Sequence, residues 1–370
     1  MRLIPDRDAA DLASMLRDLL RAECPTTLVR ALREQSAESV PDTLWKPLVD
    51  AGVLGLSLAE EYGGAGGGLP DLGVFYVEAG RALCPMAVHS TVQAGLAIEM
   101  LGRPEQKAAW LPGLSAGTLR GTTALSRTRD ASVVTALLHA DQRVDGWYLS
   151  GTVDFVADAD GADVLVVSAS GGGRALGFVV DGHAPGLTFT PLSMMGGSRA
   201  CTVRFDDVWV AEPASVLGVE IGLSADDLRR VANAGVALLS LDLVGVGEAV
   251  LERTVDYVNM RQQFGRPIGS FQAAQHLIAN MHIALAGARL AAHSAVFWIG
   301  RGQVGTRQTA IARMAAANAA KLITLDAHQL HGGMGYVVET DLHLWSERAR
   351  VVSTLGGGAD IAASWLEEEA

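Results

Sequence analysis

The sequence predicts an α+β chain of three domains: an N-terminal helical domain over residues 1–120, a middle antiparallel β domain over 121–222 and a C-terminal helical bundle over 223–370. Three observations carry that prediction. Apolar residues recur at spacings of three and four through the first region, short runs rich in Val, Leu and Thr fill the second, and long Ala- and Leu-rich periodic stretches occupy the third.

In the first region "LASMLRDLLRAE", "TLWKPLVDAGVLGL", "DLGVFYVEAGRAL" and "VQAGLAIEMLG" each gather apolar side chains on one helical face. The glycine- and proline-rich "EEYGGAGGGLPD" separates two of them. From "GTTALSRT" onward the runs shorten to strand length. "GWYLSGTVDFVA", "ADVLVVSAS", "ALGFVVDG" and "ACTVRFDDVWVA" are bounded by turn residues at intervals that suit an antiparallel barrel or sandwich. Beyond residue 223, periodic stretches at 225–260, 270–301 and 305–331, with a short one near 359–369, predict a helical bundle closed by short connections.

A chain of 370 residues can bury a large core, and it is 49% hydrophobic against 19% charged. No uninterrupted apolar run approaches the ~18 residues of a spanning helix, so no membrane span is expected. The first 23 residues read as an amphipathic helix rather than a secretory signal, which points to the cytoplasm. A net charge of −12 argues against a general nucleic-acid surface. Cys24, Cys84 and Cys201 are odd in number and scattered, indicating neither a disulfide framework nor a metal site.

Five stretches carry a more specific signal: "LWKPLVDAGVLGLSLAEEYGGAGGG", "VEAGRALCP", "GGSRACTVRFDDVWV", "RQQFGRPIGSFQ" and "HQLHGGMGY". In kind and order they resemble the acyl-CoA dehydrogenases, over essentially the whole chain. The resemblance implies FAD as cofactor, an acyl-CoA thioester as substrate, and an electron-transfer flavoprotein as electron acceptor. In that chemistry a glutamate removes the proton next to the thioester while hydride passes to the flavin from the following carbon.

The resemblance also locates where that glutamate belongs. Ungapped comparison of "ETDLHLWSERARVVSTLGGGADI" with the family's Tyr-Glu-Gly-Thr loop puts Leu355 at the tyrosine and Gly356 at the glutamate. Isovaleryl-CoA dehydrogenases carry the base instead on the first helix of the last domain, and that position is Gly235. Neither site has a carboxylate. Asp242 lies seven residues past Gly235 on roughly the same face, ~10 Å along the axis, too far for direct proton abstraction. It is expected to be satisfied by a partner or by solvent, with Glu248 and Glu252 exposed or paired.

By resemblance, each flavin lies between two subunits and is touched by two sets of residues. The set that holds the ring is altered here: a family loop rich in glycine reads "SRTRDAS", with Arg127 and Arg129, and a Trp-Ile-Thr segment reads "FVAD", Phe155–Asp158. The set that reaches into the neighbouring subunit is retained as Arg261, Phe264 and Gln272, with Gln329, Gly332 and Gly333. An arginine fork suits a pyrophosphate, and glycines allow close approach of backbone amides to phosphate oxygens. These readings point to a subunit of a heteromeric α2β2 acyl-CoA dehydrogenase that completes the FAD site of a partner carrying the glutamate, as in enzymes of steroid side-chain degradation. The alternatives are a homo-oligomeric enzyme with a relocated base and a scaffold that has kept the fold without the reaction. Asp360 is expected to cap the last helix.

Overall fold

A computed structural model describes residues 7–34, 40–218 and 222–367. Six helices open the chain: α1 (Arg7–Glu23), α2 (Thr26–Glu34), α3 (Asp42–Asp50), α4 (Leu69–Ala82), α5 (Met86–Leu101) and α6 (Pro104–Ser115). Eight strands follow: β1 (Gly121–Ala124), β2 (Leu138–Arg143), β3 (Gly146–Ala157), β4 (Val164–Gly171), β5 (Arg174–Asp181), β6 (Leu187–Pro191), β7 (Ala200–Val210) and β8 (Val216–Leu217). The last region holds α7 (Ala225–Met260), a two-residue hairpin of β9 (Gln262–Gln263) and β10 (Arg266–Pro267), then α8 (Gln272–Gly300), α9 (Thr306–His331), α10 (Leu342–Val352) and α11 (Ala359–Ser364).

The helix–strand–helix order matches the expectation, and the sheet departs from it in one respect. Its strands run β6-β7-β3-β2-β4-β5-β8, with β1 also paired to β4. Both β1 and β2 lie parallel to β4, so the sheet is mixed rather than antiparallel. Alternation of side chains shows which residues form strands, whereas the direction of a neighbour is set by connections that local pattern does not encode.

The two helical regions share one core. Leu16 and Leu20 of α1, Phe75 of α4 and Val88 of α5 belong to the same buried cluster as Leu241 of α7, Met281 of α8, Ile323 of α9 and Trp345 of α10. The strands enclose a second cluster around Trp147 and Phe178. Helices α4 and α7 cross with backbone contact, since a Cβ on Gly80 would stand 2.0 Å from the Asp242 carbonyl and one on Gly245 1.9 Å from that of Val77. Glu78 of α4 receives two hydrogen bonds from Arg17, while Arg81 pairs with Glu248 and Glu252, and Arg289 of α8 with Glu248.

The expectation of no membrane span rested on uninterrupted apolar runs, a stricter criterion than helix length and mean composition. By length and composition α7 and α8 both qualify. Helix α7 has 89% of its most apolar window buried in this protein's own core, which accounts for its composition. Only 33% of the corresponding window of α8 is buried, leaving an outward stripe that includes Ile283 and Leu290, seven residues apart. The last helix differs too: Gly358 is its N-cap, and Asp360 sits within the first turn.

Candidate active site

Helix α7 begins at a capping box, with the Ser224 hydroxyl accepting from the Asp227 amide and Asp227 accepting from the Ser224 amide. Three turns on, it presents Gly235 to a cleft. A Cβ there would find its nearest neighbour, Gln93 Oε1 on α5, at 3.6 Å, so the position is open. The opposite wall comes from the segment after α10. Arg313 of α9, fully buried, donates to the carbonyls of Val352 (2.9 Å) and Leu355, satisfying the C-terminal end of α10. Burial lowers this guanidinium to about 10.

That anchor delivers Gly356 to the loop after β1. Its amide donates to the Thr128 carbonyl at 2.6 Å, and its carbonyl accepts from the Ala131 amide at 3.0 Å. Gly356 adopts φ +75°, and a Cβ would meet Val236 Cγ2 at 2.6 Å. Trp365 closes the arrangement by donating from Nε1 to Asp130. Gly235 and Gly356, 121 positions apart in the sequence, therefore line one cleft of about 130 Å³. Its wall also includes Gln93, Arg127 and Phe155. Among the described residues no aspartate or glutamate lines it.

Asp242 lies behind this wall. Arg348 grips both of its oxygens, from Nε at 3.0 Å and from Nη2 at 2.7 Å, and His89 Nε2 stands 3.0 Å away. Asp242 and His89 are at 0% exposure, and the Arg348 side chain is at 9%. Burial alone would raise the Asp242 carboxyl, but the Arg348 charge and the hydrogen bonds from His89 and Arg348 outweigh it and hold it well below the usual carboxylate range. Burial likewise keeps His89 neutral by lowering its pKa. A carboxylate so committed cannot serve as proton acceptor for a ligand in the cleft. Local sequence hints at this network, because an isolated acid in "VALLSLDLVGVG" must find a partner, but the partners lie 153 and 106 residues away.

The altered ring-holding residues cluster on the same cleft. Strand β3 slips register between Val153 and Val156, and within that bulge Phe155 takes φ +57° and turns toward the cleft. The Arg129 guanidinium lies over its ring, 5.2 Å from the centroid. Arg127 and Arg129 are exposed where the resemblance implied glycines.

The retained set lies elsewhere, at the far end of α7. Arg261 ends that helix, and its guanidinium has no partner among the described residues. Phe264, 93% exposed at φ +54°, stands on the hairpin edge-on to Phe271, with Arg266 over the other ring. Gln272 starts α8. Gln329, Gly332 and Gly333 are exposed at the end of α9, and nothing lies within 4 Å of a Cβ on either glycine. Tyr257 joins the two groups by stacking on His331 at 4.3 Å and donating to its carbonyl. One outward face thus carries an arginine with no partner among the described residues, a bare aromatic ring and two glycines open to solvent, the Gly332 amide donating back to the end of α9.

Comparison with known proteins agrees with this architecture. A model of the acyl-CoA dehydrogenase N-terminal domain matches residues 6–118, and one of the C-terminal domain matches 230–369. Acyl-CoA dehydrogenase FadE12 of Mycobacterium tuberculosis is 33% identical over 330 residues, covering 83% of this chain and 82% of that protein. The chain belongs to the acyl-CoA dehydrogenase family. Acryloyl-CoA reductase (NADH) of Anaerotignum propionicum is 29% identical over 94% of the chain and 91% of its own length. Among solved structures, the Tcur3481-Tcur3483 steroid ACAD superposes with a TM-score of 0.87 at 32% identity, covering 98% of this chain and 97% of that one. The ChsE4-ChsE5 complex from Mycobacterium tuberculosis gives a TM-score of 0.89 at 26% identity, covering 100% and 99%.

Family membership makes FAD the expected cofactor, and the two faces fit it differently. The outward face fits, with a guanidinium uncommitted among the described residues for a pyrophosphate and, beside it, two glycines that allow a ligand to come close. The cleft does not. Its volume is close to that of a cavity that holds benzene, ~150 Å³, and the Phe155 ring is already covered by Arg129.

Proposed function

We propose that this family member is the base-less subunit of a heteromeric FAD-dependent acyl-CoA dehydrogenase. Its outward face completes the flavin site of a partner subunit that carries the catalytic glutamate, in an α2β2 assembly. The observation that carries this reading is the cleft without a carboxylate among its described lining: both positions that the resemblance gives to the family's base are glycines on one cavity, and Asp242 is held by Arg348 behind it. The flavin, when bound, accepts the hydride. This chain's part is to bind and orient: Arg261 with a charge-assisted fork to the pyrophosphate, Gln329, Gly332 and Gly333 toward the adenosine end, and Phe264 and Gln272 flanking them.

Two further features support the reading. Helix α8 leaves Ile283 and Leu290 outward, as a helix does that meets another subunit. The neighbours above 25% identity include a steroid ACAD and a two-component complex, so we assign a CoA thioester of steroid side-chain type to the partner's pocket; the acceptor that family membership suggests is an electron-transfer flavoprotein. Expression alone and with the partner tests the proposal through flavin absorbance and turnover. The chain alone is expected to be colourless and inactive, and the pair yellow and active. A yellow, active homo-oligomer overturns it.

A further inference from the structure

A second cavity, larger than the cleft, lies outside it. It occupies about 390 Å³ between α2, the turn into α5, the loop joining β6 to β7, and α10, within the ~300–1,000 Å³ range of small-molecule sites. Among the described residues it shares only Met86 with the cleft. The β6–β7 loop closes against α2 through Gly196 and Gly197, both left-handed, and a Cβ on Gly197 would come 2.8 Å from Arg33 Cγ. The walls are largely apolar, with Leu32, Leu83, Met86 and Leu344 on different elements.

Five charged residues line it, and their pairing defines what it accepts. Arg33 is committed to Glu347, Arg199 to Asp160 at 2.6 Å and Arg348 to Asp242. Asp158 is the exception: 6% exposed, it has a hydrogen bond from the Ser90 hydroxyl at 2.7 Å and no ion pair among the described residues. A buried carboxylate with so few donors retains unfilled acceptor capacity. Carboxylate or phosphate ligands would find every lining arginine already paired, and an ammonium would lose its hydration to meet a single carboxylate. A neutral hydroxyl avoids both costs.

We propose that this cavity binds a neutral, mainly apolar molecule bearing a hydroxyl group, which donates to the Asp158 carboxylate while the apolar body fills the space between α2 and α10. Asp158 ends the "FVAD" segment that the resemblance gives to the flavin ring, but it lines this cavity and not the cleft. Ser90 links the two cavities, since it donates to Asp158 and lines the cleft.

Titration calorimetry of the purified assembly with 1-octanol, octanoate and octylammonium tests this without any turnover measurement, so its outcome is separate from that of the proposed function. Octanol is expected to bind at least 10-fold more tightly than either charged probe. Asp158→Asn weakens octanol about 10-fold, the difference between a charged and a neutral acceptor, and should fold, because Asn tolerates the φ of +52° found there. Ala87→Phe fills the cavity from α5 and abolishes binding while leaving the carboxylate in place. Failure of octanol to bind, equal binding of either charged probe, or octanol affinity unchanged in both variants overturns the proposal.

Discussion

The two glycines that face one another across the cleft respond to the same substitution in opposite directions. At Gly235 the helix is regular and a methyl group meets nothing closer than Gln93 at 3.6 Å, so Gly235→Ala gains the ~1 kcal/mol by which alanine exceeds glycine in a helix interior. At Gly356 an alanine must adopt φ +75°, costing ~1–2 kcal/mol, and must displace Val236 Cγ2 from 2.6 Å, adding ~1–3 kcal/mol of overpacking. The twin variants should therefore differ by ~3–6 kcal/mol in urea unfolding of the purified assembly, with wild type between them. A stable Gly356→Ala, or a destabilised Gly235→Ala, refutes the geometry assigned to the cleft. The same contrast applies to restoring the base. Gly235→Glu should fold and place a carboxylate in the cleft, whereas Gly356→Glu should not fold normally. Gly235→Glu expressed without a partner is still expected to be inactive, because Arg127 and Arg129 occupy the ring-holding loop; turnover by that variant alone sinks the half-site reading.

Asp242→Asn leaves the Arg348 guanidinium buried without a counter-charge and should cost ~3–5 kcal/mol in unfolding experiments, with flavin content per folded assembly unchanged; loss of turnover at full stability would restore Asp242 as a candidate base. Arg261→Ala should weaken flavin retention by the partner ~10–100-fold, the worth of a charge-assisted hydrogen bond, with Gln329→Ala adding to it, read as bound flavin after gel filtration. Burial raises the Asp158 carboxyl to about 6, against Ser90 and Arg199, which lower it. The folded state thus favours the neutral acid, a contribution fully present below pH ~4 and lost as pH rises through about 6. Relative to wild type, Asp158→Asn should gain on the order of 3 kcal/mol between pH 4 and 7, and a pH-independent difference would contradict the burial assigned to it.

Much of this was legible in the sequence because it depends on local pattern. The long helices were read at 225–260, 270–301 and 305–331, and they run Ala225–Met260, Gln272–Gly300 and Thr306–His331. Ungapped comparison marked Gly235 and Gly356 as the two empty base positions, but only the fold shows that they share a cleft, since nothing in either segment encodes the other's position. The same limit hid the parallel pairing of β1 and β2 with β4. It also hid the ion triad, whose members come from α5, α7 and α10, and the service of Arg313, which reads as an ordinary helix cation in "TAIARMAAAN" until its carbonyl partners 39 and 42 residues away are in view. The resemblance ties "FVAD" to the flavin alone, whereas its last residue opens onto a different cavity.

On the proposed reading, helix α7 carries both an emptied base position and a flavin-contacting one. Gly235 and Arg261 are 26 residues apart, ~39 Å along one continuous rod, and backbone contact with α4 and the His89–Asp242–Arg348 cluster pin that rod between them. Changes at the cleft end are therefore not transmitted as changes of shape at the other end. If the proposed half-site role holds, a duplicated gene built on this helix can shed its own chemistry one residue at a time while selection continues to hold the surface that a partner subunit would require. Orthologous sequences should then vary freely around Gly235 and hardly at all around Arg261.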